Sequence, residues 1–384
     1  MKRLSVWLVC SLSVLVLLMG CRGDLPLVPS DEIDIGDYPE GLKIVKGLYL
    51  LNEGNMGSNK CTLDFLDYTT GKYWRNIYPE RNPHVVKELG DVGNDLQIYG
   101  SKLYAVINCS HYVEVMDVEN AQHVGKVDVV NCRYIVFNKG KAYVSSYAGP
   151  VQIDPNARPG KVVEIDTVDL SIKREVVVGY QPEEMVVKGD LLYVANSGGY
   201  RFPNYDRTVS VIDLNTFKVI KTIDVAINLH RMALDRYGRI YVSSRGDYYN
   251  VHSDVFILDS KTDRVTGHLG VGASEFCMSG DSLYLFGVEW SYVTSKNTVT
   301  YAIYDTRKQK IVSRNFITDG TDQQISIPYG LAVNPITKEF FVADAKTYVN
   351  PGMLFCFSPE GKKRWSVRTG DIPAHFAFTD RTFK

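Results

Sequence analysis

No surplus of either charge marks this chain: Lys and Arg number 43, Asp and Glu 44, and the formal net charge is −1. A protein that grips a polyanion needs a basic stripe, so nucleic acid is excluded as a partner and a roughly neutral ligand is favoured. Catalytic signatures are missing as well. There is no G-x-S-x-G around a nucleophile, no H-E-x-x-H, and no glycine loop opening a helix to cradle phosphate. The glycine-rich run Asn52–Asn59 lies between two strand-like segments, and His84, His123 and His268 stand singly. The expectation is a protein that is not an enzyme and carries no metal or cofactor.

Cysteine is scarce too. Beyond residue 21 there are only Cys61, Cys109, Cys132, Cys277 and Cys356, an odd number with no zinc spacing. Cys109 and Cys132 fall near one rim, which leaves a disulfide between them open; separate buried thiols are the expectation. The one long apolar run, Leu4–Met19, falls short of the roughly 20 residues that cross a bilayer. It follows Lys2 and Arg3 and ends in Leu18-Met19-Gly20-Cys21, which resembles the lipobox of bacterial lipoproteins. The resemblance implies residues 1–20 as a signal peptide and Cys21 as the lipidated N-terminus, anchoring the protein to a membrane without spanning it. Residues 21–46, rich in proline and acids, read as a tether.

What fills the rest is a repeat. An LYV-like strand carries Tyr49, Tyr104, Tyr143, Tyr193, Tyr241, Tyr284 and Phe341 in turn, recurring about every 49 residues. Its clearest copy, Leu191–Ala226, reads strand, irregular loop, strand, tight turn, strand. Short alternating strands at that period predict an all-β fold: a seven-bladed β-propeller of four-stranded antiparallel blades over residues 47–384. The last strand-like segment, His375–Asp380, has no successors, while the first blade lacks an inner strand. The C-terminal strand is therefore expected to complete the first blade and hide the edges.

Six third strands end in aspartate: Asp67, Asp117, Asp166, Asp213, Asp259 and Asp305. Aspartate there caps the following turn by accepting backbone N–H bonds, so these acids are read as scaffold. Connections between first and second strands are short, as at Lys139-Gly140, whereas second-to-third connections are long in almost every blade. Since strands alternate in direction, the long loops share one face, the candidate functional face.

The long loops carry Tyr112, Tyr147, Tyr200, Phe202, Tyr205, Tyr248, Tyr249, Trp290, Tyr292 and Tyr348, with Arg158, Arg201, Arg207 and Arg245 interleaved. Flat amphipathic rings give contact area at low entropic cost, and guanidinium forks suit amide or carboxylate oxygens. The mouth of the central channel is expected to carry Asn94, Arg133, Glu183, His230, Glu275, Tyr329 and His375. Candidate ligand contacts are thus Asn94, Tyr112, Arg133, Tyr147, Glu183, Tyr200, Phe202, Tyr205, Arg207, His230, Arg245, Tyr248, Tyr249, Trp290, Tyr292, Tyr329 and His375.

Tyr193-Val-Ala-Asn196, Val209–Asp213 and Val219–Val225 resemble the YVTN repeat of YncE-type propellers. With the lipobox, the tether and the opening LYLLNEGNMGSN, the chain is similar to the BtuG family of lipidated propellers in gut Bacteroidetes. That resemblance implies a cell-surface, outer-membrane lipoprotein that binds cobalamin (vitamin B12) or a related corrinoid and passes it to a TonB-dependent transporter. It carries no ligand residue over individually. A glycan-binding lipoprotein, a metal-dependent lactonase using Glu183, His230 and Glu275, and a propeller that only binds proteins are the alternatives.

Overall fold

The computed structural model describes residues 30–36, 44–85, 88–291 and 296–384; Cys21 and Tyr292 lie outside them. Seven antiparallel sheets follow one another along the chain as blades 1 to 7. The apolar strands are explained by where the sheets sit. Each blade is packed on both faces, so a strand such as Leu191–Asn196 cannot spare one for water. Tyr193 and Ala195 join Val209 and Val211 against Leu229 and Ile240 of blade 5. Leu192, Val194 and Ile212 face Tyr143 and Val162 of blade 3. The ring closes as expected: Pro373–Thr379 pairs with Gly47–Asn52, in register from Gly47↔Thr379 to Asn52↔Pro373.

All six strand-end aspartates cap turns. The carboxylates of Asp67, Asp117, Asp166, Asp213, Asp259 and Asp305 accept, in that order, the N–H of Thr69 (2.7 Å), Glu119, Val168, Thr216, Lys261 and Lys308 (2.8 Å each). The described cysteines are free thiols; Cys132 Sγ donates toward the carbonyls of Ile107 and Tyr112 rather than bridging to Cys109.

Two features depart from the expected plan. Within the segment read as a tether, Asp31–Asp34 forms a fifth, outermost strand of blade 1, paired with Lys72–Arg75. Its acids escaped notice as a strand because they pair sideways with cations: Asp31 meets Arg75, and Glu32 takes Lys72 and the Trp74 indole N–H. Ile33 packs on the Leu66–Tyr73 cluster. In blade 6, the second and third strands each run ten residues, Ser282–Ser291 and Lys296–Asp305, pairing out to Ser291↔Lys296. The long connection there is an extended hairpin, and Trp290 belongs to a strand.

Candidate functional site

Second-to-third loops of blades 3, 4 and 5 stand together on the face where the inner strands begin, and enclose an open cavity of about 690 Å³. Nine of the sequence candidates line it: Arg133, Tyr147, Glu183, Tyr200, Phe202, Tyr205, Arg245, Tyr248 and Tyr249. Ile153 and Gly199 complete the lining. Ile153, 73% exposed, is not among the aromatic and basic loop residues that the sequence points to; an aliphatic residue inside a long polar loop was its only sequence signal.

Loop chemistry positions the rings. Gly246 has φ +65°, and a Cβ there would meet the Val251 carbonyl oxygen at 1.9 Å, so only glycine fits. Asp247 Oδ1 accepts the N–H groups of Tyr249, Asn250 and Val251. The tight loop leaves Tyr248 60% and Tyr249 67% exposed, facing Phe202 at 46%. Phe202 meets Tyr205 edge-on with centroids 6.1 Å apart and Tyr249 at 6.4 Å. Tyr147 meets Tyr200 at 6.2 Å deeper in.

The floor is electrostatic. Glu183 is wholly buried and accepts from Arg133 Nε (3.2 Å) and Nη2 (3.1 Å), Arg245 Nη1 (3.3 Å), the Tyr147 hydroxyl (2.6 Å) and the Ser197 hydroxyl (3.3 Å). Burial alone would raise its carboxyl pKa; Arg133 and Arg245 more than offset that and hold it below the ordinary carboxylate range. A backbone irregularity makes this possible. Pairing slips between Pro182 and Met185, so Glu183 and Glu184 both leave the ladder and take different partners.

Glu184 belongs to the channel network instead. Arg231 Nη1 reaches the Tyr134 hydroxyl (3.2 Å) and Glu184 (3.1 Å), and its Nη2 reaches Glu275 (2.6 Å). One guanidinium thus serves two buried carboxyls, and burial first raises the pKa of both Glu184 and Glu275. His230 Nε2 sits 2.9 Å from the Tyr134 hydroxyl. Burial, then Arg245, Arg231 and Arg133, hold its pKa well below the usual range, which keeps it neutral.

The remaining described candidates do not line the cavity. The Asn94 amide donates to the Arg133 carbonyl (2.7 Å), joining blades 2 and 3. Tyr112 donates to the Leu89 carbonyl (2.7 Å), and Arg207 pairs with Asp224 at 2.9 Å. Trp290 is exposed on the blade 6 hairpin. Tyr329 and His375 both bond Glu53, at 2.8 and 3.1 Å. Glu53 was overlooked, although it directly follows a second strand, as Tyr147 and Arg245 do. Glu183, His230 and Glu275 each hold an arginine or tyrosine, and no group of three metal-ligating side chains occurs among the described residues.

A family model described as a domain of unknown function (DUF5074) matches residues 46–365. The fold is shared with hydrazine synthase of Kuenenia stuttgartiensis at TM-score 0.58 and 16% identity, over 70% of this chain and 77% of that one. It is shared also with a quinonprotein alcohol dehydrogenase-like protein of Bacteroides thetaiotaomicron at TM-score 0.56 and 15% identity, over 87% and 78%. Identities this low speak for the fold alone. No curated protein matches the chain.

Proposed function

The chain belongs to the DUF5074 family, and from that premise we propose that it is a non-enzymatic capture protein whose loop-face cavity binds cobalamin or a related corrinoid. The observation that carries the reading is the cavity itself: exposed tyrosine and phenylalanine rings above a floor of arginine donors. A corrin ring edged with amides and methyl groups offers the apolar area and oxygen acceptors that such a wall and floor accommodate. Loops held by glycine and aspartate before any ligand arrives reduce the ordering cost of binding.

Lipid anchorage through Cys21 and delivery to a TonB-dependent transporter of the outer membrane at the cell surface form part of this proposal. The outermost strand of blade 1 supports a cavity turned toward the membrane. Lys72–Arg75 climbs from its turn toward the loop face, and Asp31 pairs with Arg75. Chain arriving from Cys21 therefore meets the fold on the loop-face side, and ten residues reach at most about 36 Å.

One observation favours a second reading. The rings gather over three neighbouring blades instead of spreading round the wheel, a footprint that suits a short glycan stacked on tyrosine faces. Mixing the soluble chain with cyanocobalamin and desalting it separates the two. Protein emerging red with one equivalent bound is expected; colourless protein that is thermally stabilised by polysaccharide would replace the corrinoid with a sugar. Phe202→Ala and Tyr249→Ala are each expected to weaken cyanocobalamin binding by about tenfold or more in titration calorimetry.

A further inference from the structure

The two arginines of the cavity floor share a single carboxylate. Arg133 spends Nε and Nη2 on Glu183 Oε2, and Arg245 gives Nη1 to Glu183 Oε1. No other ion pair to either guanidinium occurs among the described residues. Arg245 keeps 27% of its side chain exposed in the cavity it lines, against 13% for Arg133. The three acids of the surrounding loops do not balance it, and none of them lines the cavity. Asp154 accepts the N–H of Asn156, Asp206 those of Tyr180, Arg207 and Thr208, and Asp247 closes its own loop. The other polar groups at the floor, Tyr147 and Ser197, already donate to Glu183, and His230 faces Tyr134. One buried carboxylate thus orients two guanidiniums and leaves one positive charge over, beneath a wall of rings.

We infer that this floor is an anion subsite: Arg245, backed by Arg133, receives one monoanionic oxygen group of a ligand whose apolar part lies against Phe202, Tyr248 and Tyr249. The inference rests on the reading that the loop-face cavity is the ligand site, and deepens it by naming the group recognised. A sulfonate, carboxylate or phosphodiester meets the need, because each presents paired oxygens to the guanidinium fork. Partial burial keeps the interaction from being screened away as it would be on an open surface.

Two probes with the same rings isolate the charge: 8-anilinonaphthalene-1-sulfonate, and neutral N-phenyl-1-naphthylamine. By fluorescence titration the wild-type chain is expected to bind the sulfonate about tenfold or more tightly than the neutral probe. Arg245→Met is expected to erase that advantage, Arg245→Lys to keep part of it, and Phe202→Ala to weaken both probes. Raising salt from about 50 to about 500 mM should weaken the sulfonate alone. This salt arm uses wild-type protein, so it decides the matter even if Arg245→Met fails to fold. Equal affinities for the two probes, an advantage untouched in a folded Arg245→Met, or salt-independent sulfonate binding would overturn the anion subsite. Failure of cyanocobalamin to displace the sulfonate would instead count against corrinoid capture and leave the subsite standing.

Discussion

Ending the chain after Asp371 is expected to abolish the cooperative thermal transition of the propeller. Pro373–Thr379 is the inner strand of blade 1, so its loss strips six register partners from Gly47–Asn52. All six residues of that strand are buried, and removal turns them into an apolar edge with free N–H and C=O groups. Phe376 and Phe378 also vanish from beside Phe341 of blade 7, where their centroids lie 6.5 and 6.1 Å away. Each large apolar side chain contributes about 1.5–3 kcal/mol on burial, and a whole domain holds only about 5–15 kcal/mol. Losing the strand therefore removes a share comparable to the total. Circular dichroism melting with size-exclusion chromatography reads the result; a monodisperse truncated protein melting at the wild-type temperature would refute ring closure as the source of stability.

Glu183→Ala is expected to cost about 3–5 kcal/mol, since it leaves the Arg133 and Arg245 guanidiniums facing each other without their shared anion. Glu183→Gln should cost less, because an amide oxygen still accepts from Tyr147. The pH dependence follows from the direction of the shift. Glu183 is held below its unfolded value, so its contribution is complete above the unfolded carboxyl pKa of about 4.3. That contribution fades as pH falls through the lower folded value. Urea melts between neutral and acid pH should accordingly show the wild-type advantage over Glu183→Gln shrinking in that acid range. An advantage that stays constant through that range would show that folding leaves the Glu183 carboxyl pKa unshifted.

Much of this was legible in sequence, for a physical reason that differs from feature to feature. The aromatic residue of each second strand and the aspartate ending six third strands recur because every blade solves the same packing and turn problem. Repetition made the blade count, the closure and the scaffold role of those acids readable. The loop face was readable because loop length and strand direction suffice to place it, and seven candidates from three separate loops met two from inner strands, Arg133 and Glu183, in one cavity.

Other features had no local signature. The slips between Pro182 and Met185, and between Leu229 and Met232, decide whether an inner-strand side chain faces the cavity or the channel, and a one-residue slip redirects everything after it. Nothing in the sequence around Arg231 marks it out, yet it crosses to Tyr134 two blades away. Asp31–Asp34 carries too few apolar residues to announce a strand and exists because Lys72–Arg75 offers it partners.

Sequence alone determined the wheel, its seven blades, the strand that closes it and the side on which the long loops rise, because each depends on local periodicity and chain direction. Only the tertiary structure decided that the loop aromatics gather in a cavity over blades 3 to 5 and leave Asn94, Tyr329 and His375 of the expected channel mouth outside it. It decided too that two arginines meet one buried glutamate there. Such meetings join residues far apart in the chain, and the pairing of charges in a dry interior depends on distances that no single repeat encodes.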